Sequence, residues 1–215
     1  LYGVDGKQKC VLTKRITSRT KLIEFISRLK TCEIYMEACG SSNYWARTFQ
    51  DYGHTVKLIS PQYVKPYIQR NKNDYRDAQG IMEASFWAGT PYVTPKTVEQ
   101  QDIQSLLRIR SNYIEIRTTV SNQLRGLMKE YGVFVAVGYQ KLKQELSGIF
   151  DRKTENGLTP QMKEWIEGQY NMLLIFDEKI DKLDIQIEKI SKQNEVCQRL
   201  QQIEGIGPIT ALAII

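Results

Sequence analysis

The sequence predicts an α/β layer with a parallel portion, followed by a long helical arm. Three observations lead there. Short, partly β-branched runs alternate with amphipathic stretches between Lys9 and Ile59, which is how strands joined by crossover helices read. From Val98 to Tyr131 there is no Pro and only Gly126, and apolar residues recur at helical spacing. Between Leu173 and Ile190 they recur in steps of 3, 4, 3, 4 and 3, the repeat of a coiled-coil seam.

Taken in order, Val4-Asp5-Gly6 reads as a tight hairpin turn, because Asp-Gly suits a turn whose central residues need positive φ. A strand follows from Lys9 to Ile16, while the residues before the turn make only a stub, as though a partner strand lay upstream. Thr17 to Leu29 has helical spacing, with Leu22, Ile23, Phe25, Ile26 and Leu29 on one side. Glu33 to Ala38 is a short strand that brings Glu37 to its end, where open α/β sheets place their ligands. A helix from Ser42 to Tyr52 stops at Gly53, and a strand from Thr55 to Ile59 is closed by Ser60-Pro61.

A helix starting near Asp74 puts Asp74 and Asp77 on one face of its first turn, with Lys65, Arg70, Lys72 and Arg76 around them. Two readings stand side by side: a divalent cation held against a phosphate backbone, or a helix cap and a dipole partner. The long helix from Val98 carries Ile103, Leu106, Ile109, Tyr113, Ile116, Val120, Leu124 and Leu127; residues 132–138 break it, and Thr159-Pro160 starts the next. The seam residues Leu173, Phe176, Ile180, Leu183, Ile187 and Ile190 look for a partner, either a second copy or Ile103–Leu127 of the same chain. The last stretch, with Gly205-Ile-Gly207-Pro208 between helical segments, reads as a helix–hairpin–helix that offers backbone N–H groups to phosphate, or as an ordinary helical corner.

Bulk properties narrow the chemistry. Thirty Lys and Arg against 24 Asp and Glu give +6, which permits a polyanionic partner without requiring one. The four cysteines form no CxxC pair and have no histidine cluster near them, so zinc is not expected and free thiols suit a reducing cytoplasm. There is no signal peptide and no apolar run of membrane-spanning length. With His54 as the single histidine, read as a loop or edge residue, a Ser-His-Asp or Cys-His site within these residues is not expected. P-loop and dinucleotide fingerprints are absent. Carboxylates remain: Glu37, Asp74 and Asp77, a set of hard oxygen ligands suited to Mg²⁺ in phosphoryl-transfer chemistry.

Met36-Glu37-Ala-Cys-Gly40-Ser-Ser-Asn-Tyr-Trp45-Ala-Arg47 resembles the glutamate motif of the DEDD-type transposases of bacterial insertion sequences. Gly53-His54, Pro61-Gln-Tyr-Val-Lys65-Pro66-Tyr, Asn71-Lys-Asn-Asp74-x-x-Asp77-Ala, Val98-Glu-Gln-Gln-Asp102, Asn122-Gln-x-Arg125-Gly126-Leu and Gly205-Ile-Gly207-Pro continue the likeness in order. The resemblance implies a resolvase-like, RNase H-like (RuvC-like) domain over residues 1–95, a coiled-coil arm over 96–198 and the start of a second transposase domain at 199–215. It implies that Glu37, Asp74 and Asp77 are three of four metal-binding carboxylates, the first lying on a strand upstream of the hairpin. It implies also a serine nucleophile in a later domain, a structured guide RNA that bridges donor and target DNA, and a homo-oligomer. Lys65, Arg70, Lys72, Arg76, Arg108, Arg110, Gly205 and Gly207 would contact nucleic acid. The chain starts at Leu1 and stops in mid-pattern at Ile215, so a fragment that does not itself carry out transposition is expected. A resolvase-like nuclease that cuts with carboxylates alone, and a non-catalytic nucleic-acid-binding remnant, are the alternatives.

Overall fold

The computed structural model describes residues 1–68, 73–151 and 157–215. They form two compact units, Leu1–Val98 and Glu99–Ile215. The first is mixed α/β with small sheets; the second is all helix.

In the first unit β1 (Tyr2–Val4) and β2 (Cys10–Thr13) pair antiparallel as a sheet of their own. The tight Asp-Gly turn is replaced by a wider loop. The Asp5 carboxylate accepts from the backbone N–H groups of Lys7 and Lys9, both at 2.9 Å, and Gln8 rather than Gly6 takes positive φ. A short carboxylate that bonds its own downstream backbone stabilises such a loop against the two-residue alternative.

Helix α1 (Arg19–Ser27) starts after Ser18, whose hydroxyl accepts from the Lys21 N–H. Strand β3 (Glu33–Glu37), helix α2 (Ser42–Asp51) and strand β4 (Thr55–Ile59) follow, and β3 pairs with β4 in parallel from Glu33↔Thr55 to Glu37↔Ile59. The alternation of a strand sorts its side chains to two faces. Ile34, Met36, Val56 and Leu58 meet Ile26 of α1 with Ala46 and Phe49 of α2. Tyr35 and Ile59 meet the other layer, in which Val64 and Ala84 are buried. His54, expected at a loop or edge, is buried: Nδ1 accepts from the Cys32 N–H at 3.3 Å and Nε2 donates to the Ile26 carbonyl at 3.1 Å. Both ring nitrogens are engaged in bracing α1 to the start of β3, so the imidazole is structural.

Pro61 does more than close β4, since it opens α3 (Pro61–Val64), which runs on into a 3₁₀ turn at Lys65–Tyr67. Helix α4 (Asp74–Phe86) packs against that turn through Gly80, where a Cβ would come within 3.0 Å of Ile68. β5 (Tyr92–Val93) pairs antiparallel with β4 and completes a three-stranded sheet.

The second unit opens with α5 (Val98–Glu130). The connector expected after it contains a further helix, α6 (Tyr139–Asp151), before α7 (Pro160–Gln193) starts behind the Thr159 cap. Arg110 pairs with Asp184, Arg117 with Asp177, and the Tyr113 and Phe176 rings lie 5.8 Å apart. Numbers that rise on α5 as they fall on α7 make the two helices antiparallel. The seam is therefore covered inside the chain: Leu173 packs with Val120 and Leu124, and Ile187 with Ile103, Leu106 and Leu107. Of the two partners open to the seam, the structure shows α5 of the same chain. Helix α8 (Glu195–Leu200) and helix α9 (Pro208–Ile214) fold back onto the same layer, and Cys197, Ala211 and Leu212 share a core with Ile187. Between them Gly205 takes φ +87°, a left-handed conformation that glycine adopts without strain. No helix among the described residues is long and apolar enough to cross a membrane.

Candidate metal and nucleic-acid site

Glu37 ends β3 on the sheet face that looks toward α4. Period-two alternation puts it with Glu33 and Tyr35, and Ala38 continues the ladder by donating its N–H to Ile59 at 2.8 Å. On α4 the cap is Asn73, whose side-chain oxygen accepts from the Arg76 N–H at 2.9 Å. Asp74 and Asp77 both fall in the first turn, where their charge also complements the helix dipole.

The two aspartates part company. Three residues along an α-helix turn a side chain by about 60° from its predecessor's azimuth, and packing selects one of the pair. Asp77 shares its stripe with Gly80 and Ala84, the buried residues of the helix. Its Oδ1 is buried and has no hydrogen-bond partner. Asp74 points outward and meets Arg15 at 3.4 Å, with side chains 83% and 80% exposed. Glu37 is half-buried, and it lines a cavity of about 470 Å³ with Ala78, Ile81 and Met82 of α4 and Tyr2, Val4 and Leu12 of the hairpin. Glu37 and the Ala78–Met82 face of α4 thus border one space, and neither Asp74 nor Asp77 is among the residues that line it. Among the described residues no three Asp, Glu, His or Cys side chains are grouped to hold one cation.

A buried carboxylate oxygen without a donor carries a desolvation cost of about 1–3 kcal/mol, and oxygen-seeking Mg²⁺ is the kind of partner that removes it. Glu37 and Asp77 both carry hard oxygen donors of that kind. At the other end of the same sheet face, burial and a hydrogen bond to Glu33 push the Tyr35 phenol up to about 12. The hydrogen bonds that Tyr35 and Lys57 donate hold the Glu33 carboxyl below the usual range. That pair is satisfied within the fold, whereas Asp77 is not.

The bases sort differently from expectation. Lys65 is exposed and Arg76 half-buried, while Arg70 and Lys72 lie outside the described residues. Arg108 is exposed. Arg110 is occupied by Asp184, Arg117 by Asp177, and Arg125 donates to the Gly138 carbonyl at 2.7 Å to hold the loop after α5. These guanidinium groups tie the helices together, and Arg110, expected to contact nucleic acid, is in an ion pair with Asp184. Gly205 and Gly207 flank the α8–α9 turn, with Gly207 at the cap of α9. In the glutamate motif, Asn43 accepts from the Lys96 N–H at 3.0 Å and Arg47 donates to the Lys96 carbonyl at 2.6 Å. Those two polar residues tie α2 to the segment before α5. Arg15, the partner of Asp74, and Asn73, the true cap, went unnoticed. Asn in front of two first-turn acids was the signal available for the cap.

The transposase family model for the DEDD type of IS110 matches residues 3–133. The chain belongs to this family. It is 43% identical over 214 residues to the transposase for insertion sequence element IS1111A of Coxiella burnetii, covering 100% of this chain and 58% of that protein. It is 36% identical over 214 residues to a Pseudomonas aeruginosa protein named "Probable family 20 transposase", covering 100% and 63%. With the transposase for insertion sequence element IS1328 of Yersinia enterocolitica it shares 32% over 201 residues, 94% of this chain and 59% of that protein. The chain thus spans about six-tenths of the length of these IS110-family relatives. Membership gives the carboxylates of the first unit a chemical context that the helical unit lacks.

Proposed function

We propose that this chain is the carboxylate-bearing part of an IS110-family transposase, acting in the bacterial cytoplasm to break and rejoin the DNA of an insertion element. The observation that supports the reading is the buried Oδ1 of Asp77, which has no hydrogen-bond partner, on the helix whose Ala78, Ile81 and Met82 line a cavity together with Glu37. In the family context, Glu37 and Asp77 hold a divalent metal, best Mg²⁺, and Asp74 joins them from the rim once Arg15 lets go. The bound cation would offset phosphate charge and activate the attacking oxygen. The chain's own part is to keep two carboxylates at fixed places on a strand end and a helix start, which rigid elements do better than loops.

The family resemblance adds a further carboxylate, a serine nucleophile, a guide RNA and assembly of several copies. No residue of this sequence is assigned to the first two. Lys65 and Arg108, both exposed, are free to touch phosphate.

Titration of the 215-residue chain with Mn²⁺ as a Mg²⁺ probe tests the site. Weak but saturable binding is expected, lost by tenfold or more in Asp77→Asn and in Glu37→Gln, and reduced less in Asp74→Asn. Equal binding by all four proteins would remove the metal assignment.

A further inference from the structure

The charge of this chain is confined to one place. Residues 1–30 contain eight Lys and Arg against two Asp and Glu, whereas residues 31–215 contain 22 of each. All eight bases are exposed: Lys7 and Lys9 on the β1–β2 loop, Lys14 and Arg15 after β2, Arg19, Lys21 and Arg28 on or beside α1, and Lys30 just beyond it. The whole formal charge of +6 therefore sits on one hairpin and one helix.

The fold does not ask for these charges. Like charges on adjoining elements repel, and α1 opens on Arg19 and Lys21 with no acid in its first turn, the wrong sign for the helix dipole. In the helical unit six bases, Arg110, Arg117, Lys143, Lys182, Lys192 and Arg199, have carboxylate partners, and acids balance the rest in number. Among the described residues, the first thirty form two ion pairs, Arg28 with Glu24 and Arg15 with Asp74. A local cost with little internal return is where function is expected.

We infer that the outer face of the β1–β2 hairpin and α1 is a binding surface for the phosphate backbone of duplex DNA. It rests on the reading of the chain as part of a transposase but concerns residues which that reading does not use. Four of the bases, Lys14, Arg15, Lys21 and Arg28, line a cleft of about 380 Å³ together with Glu24 and Phe25. The choice of duplex follows from what the cations lie among. Single-strand binders interleave bases with open aromatic faces, and the two aromatics in this stretch, Tyr2 and Phe25, are half-buried. The Lys14 ammonium moreover sits 4.4 Å over the Phe25 ring and covers it. What is left is charge at the surface, which tracks a backbone without reading bases.

Arg15 links this surface to the carboxylates. Its pairing with Asp74 is solvent-exposed on both sides, so it is a weak interaction that a phosphate can displace. When Arg15 moves to DNA, Asp74 at the start of α4 loses its ion-pair partner and would be free to join the proposed metal ligands. The duplex would then arrive at the metal ligands and uncover one of them in the same step.

The test is anisotropy of a labelled 30-base-pair duplex with the 215-residue chain in EDTA, which keeps it independent of the metal titration. If six or more phosphates are engaged, affinity falls by roughly 10³-fold or more between 50 and 200 mM salt. The triple change Lys9→Ala, Lys14→Ala, Lys21→Ala should make the slope of log K against log salt shallower by about 2–3, with thermal unfolding unchanged. Lys129→Ala, Lys141→Ala, Lys189→Ala, on exposed positions of the helical unit, should leave both slope and affinity as they were. Asp74→Asn should tighten DNA in the natural background and not when Arg15 is already Ala. The surface is ruled out if the hairpin triple binds like the natural chain, if the helical triple loses as much, or if no binding is seen at 50 mM salt. A 30-nucleotide RNA bound more tightly, and equally weakened by the hairpin triple, would overturn the assignment to duplex DNA.

Discussion

Asp77 in the first unit and Asp177 in the second are both half-buried aspartates on helices, and their surroundings treat them in opposite ways. Asp177 accepts from Arg117 at 2.9 Å, Tyr139 at 2.8 Å and Lys143 at 2.7 Å, a network that joins α5, α6 and α7. Burial alone would push its carboxyl up, but the bonds from Lys143, Tyr139 and Arg117 outweigh that and hold it below the usual range. The same burial and the bond to Asp177 push the Tyr139 phenol well up, and the Arg117 guanidinium stacks 4.4 Å over its ring. Asp77 has one oxygen shut away from water with no donor at all. A chain that can satisfy one aspartate with three donors is not short of donors. The contrast makes Asp177 an internal tie and leaves the Oδ1 of Asp77 without a hydrogen-bond partner inside the fold, the feature on which its proposed metal role rests.

Removing each carboxylate should bring out the difference. Asp177→Ala leaves two cations and a phenol without their acceptor and should cost about 3 kcal/mol, seen as a clear loss in urea midpoint. Asp177 also sets a pH signature. Its folded pKa is depressed, so its stabilisation is present in full above the unfolded value of about 3.9 and is lost as pH falls through the lower folded value. The gap in melting temperature between the natural chain and Asp177→Asn should accordingly narrow on acidification below about pH 4; a gap that stays constant to pH 2 would mean that the network contributes through shape and not charge.

Asn73→Ala tests the frame around the other aspartate. Losing the cap should cost about 1 kcal/mol and weaken Mn²⁺ binding, because Asp77 sits one turn into the helix the cap starts. Smallest of all, Asp77→Asn should change stability by no more than about 0.5 kcal/mol either way, since no internal hydrogen bond to Oδ1 is broken. Destabilisation on the scale of Asp177→Ala would erase the contrast and make Asp77 structural.

Much of the architecture could be read along the chain because it rests on local rules. Period-two alternation in Glu33–Glu37 and Thr55–Ile59, the stop at Gly53, the Thr159-Pro160 start and the 3-4 seam each depend on a few neighbouring residues, and all reappear in the folded chain. Three things needed the third dimension. The seam's partner was undecided between a second copy and α5 until Arg110–Asp184 and Arg117–Asp177 showed the antiparallel pairing. The arginines of α5 looked like surface charge, since nothing local reveals a carboxylate 60 or 74 positions away. The i,i+3 acids looked equivalent, but the close approach at Gly80 turned Asp77 inward and left Asp74 to Arg15.

By itself the amino-acid sequence determined the strands, the long helices and the family, because hydrophobic period, capping residues and ordered motifs are properties of short stretches. Only the tertiary structure decided which charges are used up inside the protein and which face outward. That depends on desolvation and on partners brought together from distant positions, and neither is written in any single segment.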